Sequence, residues 1–270
     1  MTIGPELQRI AQGREAEIFA WEDGRVLRLL RRPDGVQKLE WEAAAMEAAR
    51  EAGVPVPRVF GVTTQLGRAG MIMERVDGPD ILTIFSRKPW QLWSGSRLCG
   101  ELHARLNQVQ APAMLPALRD QVRAKIEGQA PPDVARIALE LLEGLPDGDR
   151  ICHGDYHPGN VLMGPDGPVI IDWPNVARGD PDADFARTVL LAKLGEPPPG
   201  TPFIVREGAR FGRSVFRGAY SKAYTKLRPV DPGALRRWQI VRAADRIAEG
   251  VESERPALEA IVRAAGGKRD

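Results

Sequence analysis

The residues best suited to chemistry lie in one acidic stretch in the second half of the chain. His153 and Asp155 are followed by Asn160, and Asp172 stands after two apolar runs that surround a Pro-Asp-Gly turn. The turn residues predict a tight hairpin between the two runs. Carboxylates and an amide around such a hairpin supply the oxygen ligands that hard divalent cations prefer. An acidic surface loop has a similar composition, so composition alone leaves both interpretations open.

The order and spacing of these residues are more specific than their composition. The pattern H-x-D-x-x-x-x-N, followed by a strand pair and an aspartate, is the catalytic arrangement of kinases. Phosphoryl transfer needs a carboxylate to receive the proton of the acceptor hydroxyl and a cation to neutralise the phosphate oxygens. We therefore predict that Asp155 is the catalytic base and that Asn160 and Asp172 hold Mg²⁺.

The segments HGDYHPGN, IDW and GDPDADFA together resemble the aminoglycoside phosphotransferase and choline kinase-like family. These small-molecule kinases share the protein-kinase fold. The resemblance covers the whole chain; it is most specific in residues 150–187 and weakest in residues 201–270. It implies an enzyme that uses ATP, with GTP as the alternative, and Mg²⁺ to phosphorylate an alcohol group of a small molecule.

The predicted elements suit a bilobal α+β fold of the protein-kinase type. Residues 15–21 and 25–31 are apolar runs joined by Glu-Asp-Gly, which predicts a hairpin. Residues 36–52 have helical spacing and end at Gly53. We expect a nucleotide-binding lobe over 1–76, with a small antiparallel sheet and one helix. A mainly helical catalytic and substrate-binding lobe over 77–270 would contain the catalytic β-hairpin.

Helical patterns dominate this second lobe. Seven of them are predicted, at about 89–108, 115–127, 132–144, 183–194, 204–225, 232–250 and 254–265. They must position the acidic stretch, because a loop holds catalytic residues only where a packed scaffold fixes both of its ends.

The resemblance also predicts nucleotide-binding residues in the first lobe. Arg28 falls where the family usually has a lysine that grips the α- and β-phosphates, and Glu42 is the helix acid that would pair with it. Arginine keeps the positive charge but is a longer, planar group. An exposed strand arginine is the alternative for Arg28, and Glu40 and Glu47 are the competing helix acids.

The segment between the lobes resembles the hinge that reads the nucleotide base. Backbone groups of Glu74 and Val76 would bind the adenine edge, and Met73 would line the base pocket unless it is only a core residue. His157 is either a phosphate contact or a loop histidine. The phosphate-covering turn at residues 13–18 has a single glycine, and as an isolated motif it is weak.

Three further polar residues of the acidic stretch have structural interpretations. We expect His153 to support the loop by hydrogen bonds rather than to act directly in catalysis. Asp182 is expected to cap the following helix and Asp184 to anchor the loop. Metal binding is the less favoured alternative for both aspartates.

Charge restricts the partners of the protein. The formal net charge is only +2, which argues against nucleic-acid binding, and no apolar run is long enough to predict a membrane span. Two cysteines and the absence of a signal-peptide pattern predict a cytoplasmic protein. The sequence leaves the oligomeric state open.

The positive charge is concentrated at one end, since residues 201–270 contain 15 basic and 8 acidic residues. We therefore expect a small hydroxylated acceptor that is not a strong polycation. Asp245 and Glu249 are expected to form helix pairs with Arg242 and Arg246, although they would also suit a single ammonium group.

Two other functions are compatible with parts of the sequence. A nucleotide-binding pseudokinase or regulatory module without turnover would fit the arginine at position 28, but it would not need intact Asp155, Asn160 and Asp172. A protein kinase is disfavoured, because the glycine-rich loop is missing and no activation segment is recognisable after Asp172.

Overall fold

A five-stranded antiparallel sheet comes first along the chain. The computed structural model describes residues 8–13, 15–32, 35–194 and 203–267. The strands are β1 (Arg9–Gln12), β2 (Ala16–Trp21), β3 (Arg25–Leu30), β4 (Val59–Gln65) and β5 (Arg68–Glu74), in the order β1-β2-β3-β5-β4. The predicted β2–β3 hairpin is present, and Asp23 and Gly24 make its turn with φ of 57° and 69°. Aspartate and glycine are among the residues that best tolerate this left-handed backbone.

One helix, α1 (Val36–Glu51), packs against the sheet as predicted. Leu39, Ala45 and Met46 are buried in its core-facing side. Gly53, with φ of 77°, follows the end of the helix in the conformation that closes many helices. Glu42 is buried on the same helix, and a buried carboxylate requires a partner.

The remainder of the described chain is mostly helical. The helices are α2 (Ile81–Arg87), α3 (Leu92–Leu106), α4 (Leu118–Gln129), α5 (Pro132–Glu143), α6 (Pro181–Leu194), α7 (Phe203–Leu227), α8 (Pro232–Ala248) and α9 (Arg255–Gly266). All seven predicted helices are present within a few residues of their predicted ends. Helix α2 was not predicted, because its seven residues are too few for a clear periodicity. Asp80 caps it by accepting a hydrogen bond from Thr83 N at 2.8 Å.

Two short strand pairs interrupt the helices. The predicted hairpin consists of β7 (Val161–Gly164) and β8 (Gly167–Ile170). A second pair, β6 (Arg150–Cys152) and β9 (Ala177–Gly179), was not predicted, because three residues show no alternation. Cys152 lies opposite Ala177 in this pair. The segment between β6 and β9 carries the predicted catalytic residues, and this strand pair holds its two ends together.

The hairpin connects the helical part to the sheet. Ile170 N donates a hydrogen bond to Pro55 O at 2.9 Å, and Met163 N donates one to Pro79 O at 2.9 Å. Gly78 packs so closely on the backbone of Met163 that a Cβ atom would collide with its carbonyl oxygen. The segment that leaves the sheet therefore lies directly on the hairpin.

Two apolar clusters make up most of the core. The first combines the sheet and α1 with α3, the hairpin and α7, and the second joins α4, α5, α6, α8 and α9. The acidic segment between β6 and β9 lies where the two clusters meet, since Ile151 belongs to the first and Cys152 to the second. Within the described ranges, none of the helices has the length and apolar character needed to span a bilayer.

Candidate active site

Asp184 fixes the start of the loop that carries Asp155. Its fully buried carboxylate accepts hydrogen bonds from His153 N at 2.7 Å and from Gly154 N at 2.9 Å. His103 Nε2, at 2.8 Å, and Asn107 Nδ2, at 3.1 Å, contact the same carboxylate. These contacts agree with the predicted role of Asp184 as the loop anchor.

We expect Asp184→Asn to destabilise the protein by about 3–5 kcal/mol, because it removes the charge from a buried hydrogen-bonded network. Burial raises the pKa of Asp184, but the His103 ring and the other donors outweigh it and hold the pKa well below its ordinary value of 3.8. A carboxyl group with a lowered folded-state pKa stabilises the fold above its unfolded-state pKa and loses that contribution as the pH falls. Urea unfolding should therefore show a large difference from wild type at pH 7 that shrinks below about pH 4.

Asp133→Asn is a control for this comparison, since Asp133 is an exposed aspartate paired with Arg263. It should change the stability at pH 7 by less than about 1 kcal/mol. A pH-independent difference between Asp184→Asn and wild type would contradict the assigned charge of Asp184.

The prediction that Asp182 caps the following helix is wrong. Its carboxylate accepts hydrogen bonds from Arg228 Nη1 at 2.6 Å and from Asp231 N at 3.1 Å, and it caps no helix. Asp180 is the cap of α6, because its Oδ1 accepts from Asp182 N at 3.0 Å. The helix begins earlier than predicted, at Pro181. Proline is suited to the first helical position, because the N–H group that it lacks would have no partner within the helix.

His153 has the supporting role that was expected of it. Its Nδ1 accepts a hydrogen bond from Asp155 N at 3.3 Å, so the ring proton is on Nε2, which donates to Ile171 O at 3.0 Å. Burial lowers the pKa of His153 and favours this neutral form. The imidazole thus ties the loop to the residue that precedes Asp172.

Asn160 and Asp172 lie next to each other at the base of the hairpin. Ile171 N donates a hydrogen bond to Asn160 O at 2.9 Å, and Asn160 Nδ2 donates one to Asp155 O at 2.9 Å. The bond to Asp155 uses the Nδ2 atom of the amide, and Oδ1 is the atom that would bind the predicted cation. Asp172 is exposed and has φ of 66°, an uncommon backbone for a residue other than glycine. Such a conformation often occurs at functional sites.

These two side chains suit Mg²⁺ bound together with phosphates. No group of three or more His, Cys, Asp or Glu side chains that would hold a metal ion by itself occurs in the described part of the chain. Mg²⁺ is commonly bound through one or two carboxylates, water and substrate phosphates rather than by a complete protein cage. One carboxylate and one amide oxygen are consistent with that mode.

Asp155 is held by an arginine that the sequence analysis missed. Arg187 Nη2 lies 3.3 Å from Asp155 Oδ1, and Nη1 lies 2.8 Å from Glu249 Oε1 and 3.4 Å from Asp245 Oδ2. One guanidinium group therefore joins the predicted base to Asp245 of α8 and to Glu249, which directly follows that helix. Arg187 is three residues after Asp184 and on the same side of α6, but only helix packing shows that it reaches Asp155.

His157 is beside the predicted base but has a local bond of its own. Its Nδ1 accepts a hydrogen bond from Gly159 N at 3.1 Å, which stabilises the turn before Asn160. Its Nε2 lies 3.9 Å from Asp155 Oδ2, and the ring is partly exposed. The hydrogen bond agrees with the interpretation of a loop histidine, and contact with a phosphate stays a prediction.

A cavity of about 280 Å³ adjoins the loop that carries Asp155. It is lined by Leu118, Gln121, Val122, Lys125, Gly154, Pro174, Asn175, Arg187, Arg242, Asp245 and Glu249. The expected helix pairs are present, with Arg242 Nη1 2.9 Å from Asp245 and Arg246 Nη1 2.6 Å from Glu249. Burial raises the pKa of Glu249, but Arg187 and Lys125 outweigh it and lower the pKa to about 2. Glu249 is therefore ionised, and both acids of the cavity are already paired with cations of the protein.

Arg28 and Glu42 form a buried ion pair in the sheet region. Arg28 Nη1 lies 2.7 Å from Glu42 Oε2, and the arginine side chain is only 10% exposed, so it is not a surface arginine. The competing acids differ, since Glu40 is exposed and Glu47 pairs with Arg50. Burial raises the pKa of Glu42 against the opposing effect of Arg28, and the charge of Asp172 raises it further. The ion pair is therefore within electrostatic reach of the predicted metal ligand.

We expect Arg28→Ala to weaken the binding of Mg-ATP by about tenfold or more, since a charged hydrogen bond to phosphate contributes roughly 1.5–3 kcal/mol. Isothermal titration calorimetry with a non-hydrolysable ATP analogue measures this effect. Arg25→Ala is the matched control, because Arg25 lies on the same strand and pairs with the exposed Asp23. Unchanged affinity in Arg28→Ala would rule out its contact with phosphate.

The remaining predicted residues lie at the end of β5, which contains Met73 and Glu74, and in the segment between β5 and α2, which contains Val76. Met73 is half-buried in β5 opposite Val26. Glu74 N donates a hydrogen bond to Arg58 O at 2.8 Å, so this N–H group is already used. Binding of the base by backbone groups of Glu74 and Val76 stays a prediction. Arg14, in the predicted phosphate-covering turn, is outside the described residues.

The chain is similar to known proteins in sequence and in fold. The family model described as "Phosphotransferase enzyme family" matches residues 6–230. No curated protein matches the sequence. A thermostable mutant of aminoglycoside phosphotransferase APH(4)-Ia, solved as a ternary complex with AMP-PNP and hygromycin B, is 16% identical with a TM-score of 0.64, and the match covers 97% of this chain and 94% of that one.

Two further solved structures are similar over nearly the whole chain. A putative fructosamine-3-kinase from Haemophilus somnus 129PT is 17% identical, with a TM-score of 0.63 and coverage of 97% and 91%. The GDP and kanamycin complex of an APH(2″) enzyme is also 17% identical, with a TM-score of 0.60 and coverage of 98% and 91%. At these identities the likeness shows the fold, which is the predicted bilobal α+β fold of the protein-kinase type. The family model covers most of the sequence, and the chain therefore belongs to the phosphotransferase enzyme family.

Proposed function

We propose that the protein transfers the γ-phosphate of ATP, with GTP as the alternative, to a hydroxyl group of a small molecule. The observation that carries this proposal is the arrangement around Asp155. Asn160 is bonded to its backbone, Asp172 follows directly at the hairpin base, and Arg187 connects its carboxylate to the wall of a cavity. The proposed division assigns nucleotide binding to residues 1–76 and catalysis with acceptor binding to residues 77–270.

The side chains of the loop would each have a separate task in the reaction. Arg187 holds Oδ1 of Asp155 and leaves Oδ2 to receive the proton of the acceptor hydroxyl. Asn160 and Asp172 would hold Mg²⁺, which when bound with the nucleotide neutralises charge on the phosphate oxygens. Arg28, fixed by Glu42, would bind the α- and β-phosphates. Asp184 and His153 keep the loop in place without touching the substrate.

The charges of the cavity support an acceptor that is not a strong polycation. Asp245 and Glu249 are the acids of its lining, and each is within 4 Å of at least three cations of the protein. A polycation is bound best by carboxylates that have no such partners. We therefore expect the acceptor to be a neutral or anionic hydroxylated metabolite rather than a polycationic aminoglycoside.

A screen for ADP release with Mg-ATP tests this function. The panel contains sugars, polyols, hydroxy acids, amino alcohols and aminoglycosides, and a thermal-shift assay on the same panel detects binding without turnover. Binding at about 100 times Kd stabilises a protein by about 2.7 kcal/mol, which a shift assay resolves. We expect acceptor-dependent ADP release from at least one neutral or anionic class. If the protein binds nucleotide but phosphorylates none of these acceptor classes, the result would favour the pseudokinase alternative.

A further inference from the structure

Lys125 occupies an unusual position in the cavity. Its side chain comes from α4 and is 36% exposed. Nζ lies 2.9 Å from Asp245 Oδ1 on α8 and 3.2 Å from Oε1 of Glu249, which directly follows α8. The stem of a lysine is flexible and its ammonium group is strongly hydrated. By contrast, the side chains of Arg187 and Arg242 are only 6% and 3% exposed. Lys125 is thus the most accessible cation on these two acids.

Asp245 is incompletely satisfied despite this contact. Its Oδ2 lies near Arg187 and Arg242, whereas the buried Oδ1 has no hydrogen-bond partner within the described part of the chain. The approach of Lys125 to Oδ1 is therefore an ion pair without hydrogen-bond geometry. A hydrogen bond from an N–H donor to a buried carboxylate oxygen in this state stabilises the protein.

We propose that Lys125 excludes cationic acceptors by placing its own ammonium group where the ammonium group of an acceptor would meet Asp245 and Glu249. This inference rests on the proposed function, in which the cavity holds the acceptor. Removal of the lysine side chain leaves Arg187, Arg242 and Arg246 in place and takes away one positive charge. The cavity then becomes a site for a primary ammonium group.

The position of this site relative to Asp155 defines the class of molecule that it takes. Arg187 contacts Glu249 at 2.8 Å and Asp155 at 3.3 Å, so one guanidinium group separates the ammonium position from the predicted base. A short amino alcohol carries both a hydroxyl group for the predicted base and an ammonium group for these acids on one small molecule. Lys125 therefore selects between neutral acceptors and amino alcohols.

Rescue by a small amine tests the proposal without any need for turnover. Lys125→Ala is melted in propylammonium chloride and in sodium chloride of equal ionic strength, beside wild type and Arg263→Ala. Arg263 is the control because it also contacts two acids, Asp133 and Glu259, but lies outside the cavity lining. We expect a saturable stabilisation of Lys125→Ala by propylammonium, with an affinity at least about tenfold above that of the other two proteins.

Two outcomes of the amine experiment would contradict the proposed role of Lys125. If propylammonium shifts Lys125→Ala no more than it shifts wild type, Lys125 is only a structural ion-pair partner and the proposal is wrong. Should Lys125→Ala be insoluble, Lys125→Thr leaves the same space open and is measured in the same way. A general effect of the amine on weakened proteins would appear in Arg263→Ala as well, and would also overturn the proposal.

Turnover with matched acceptors gives a second measurement. The ratio of kcat/KM for 3-aminopropan-1-ol to that for propane-1,3-diol should rise at least about tenfold from wild type to Lys125→Ala, because only the first acceptor has the ammonium group. An unchanged ratio contradicts selection by Lys125. If the proposed function is wrong, wild type should release no ADP with any acceptor. The stabilisation of Lys125→Ala by propylammonium would still be measurable in that case.

Discussion

Asp155→Asn should lower the rate of phosphoryl transfer by about 10³-fold, within the 10²–10⁴-fold range of general base catalysis. Asparagine has nearly the same shape as aspartate but is unable to take the proton of the acceptor hydroxyl. The loop itself should remain in place, because the backbone bonds to Asp184 and Asn160 are independent of the Asp155 side chain. Arg187 would still contact Glu249 and Asp245. The measurement is kcat with the acceptor that the screen identifies.

Two controls separate loss of the base from a general defect. Affinity for Mg-ATP should stay within a few-fold of wild type, since the substitution leaves the side chains of Arg28, Asn160 and Asp172 unchanged. Asp149→Asn replaces an exposed aspartate just before the same loop, where it pairs with Arg150, and it should retain wild-type turnover. Turnover of Asp155→Asn within a few-fold of wild type would show that another group accepts the proton.

Asp172→Asn should remove the dependence of nucleotide binding on Mg²⁺ and reduce turnover by about 100-fold or more, since a catalytic metal supplies several kcal/mol of charge stabilisation. Asparagine is preferable to alanine in this test. Asp172 has φ of 66°, and asparagine tolerates this backbone while alanine would add strain. A change in binding then reports the lost charge rather than a distorted hairpin.

The measurement compares ATP affinity in Mg²⁺ with that in EDTA. Wild type should bind more tightly in Mg²⁺, and Asp172→Asn should show nearly equal affinities. Asp166→Asn is the matched control, because Asp166 is an exposed aspartate in the turn of the same hairpin. If Asp172→Asn keeps the full advantage of Mg²⁺, the metal is bound by other residues.

The predictions that succeeded depend on information that is local in the sequence. Spacing within one loop and hairpin predicted that Asp155, Asn160 and Asp172 lie close together, and α1 follows from a periodic run with a clear end. The catalytic and metal-binding roles of the three side chains stay predictions. The pairing of Arg28 with Glu42 was expected from a family register, and the structure brings the two side chains together. Their role in nucleotide binding stays a prediction.

The features that were missed depend on contacts between distant segments. Arg187 reaches Asp155 only because α6 packs beneath the loop, and nothing in the residues around it distinguishes it from an ordinary helix arginine. Lys125 meets its partners on α8 across more than a hundred residues of chain. The β6–β9 pair is too short for any pattern to show. Such contacts follow from packing, which a single sequence does not display.

The attachment of the hairpin has a consequence for motion in the protein. Ile170 and Met163 are hydrogen-bonded to Pro55 and Pro79, which precede β4 and follow β5, so the hairpin is tied to both flanks of the sheet. Any rotation between the two halves of the molecule must either break these bonds or carry the hairpin along. Rotation that preserves them would move Asp172 together with Arg28, and the cavity wall at Pro174 and Asn175 lies within three residues of Asp172. We expect such a rotation to shift this wall relative to α8 while Asp172 and Arg28 keep their relative position.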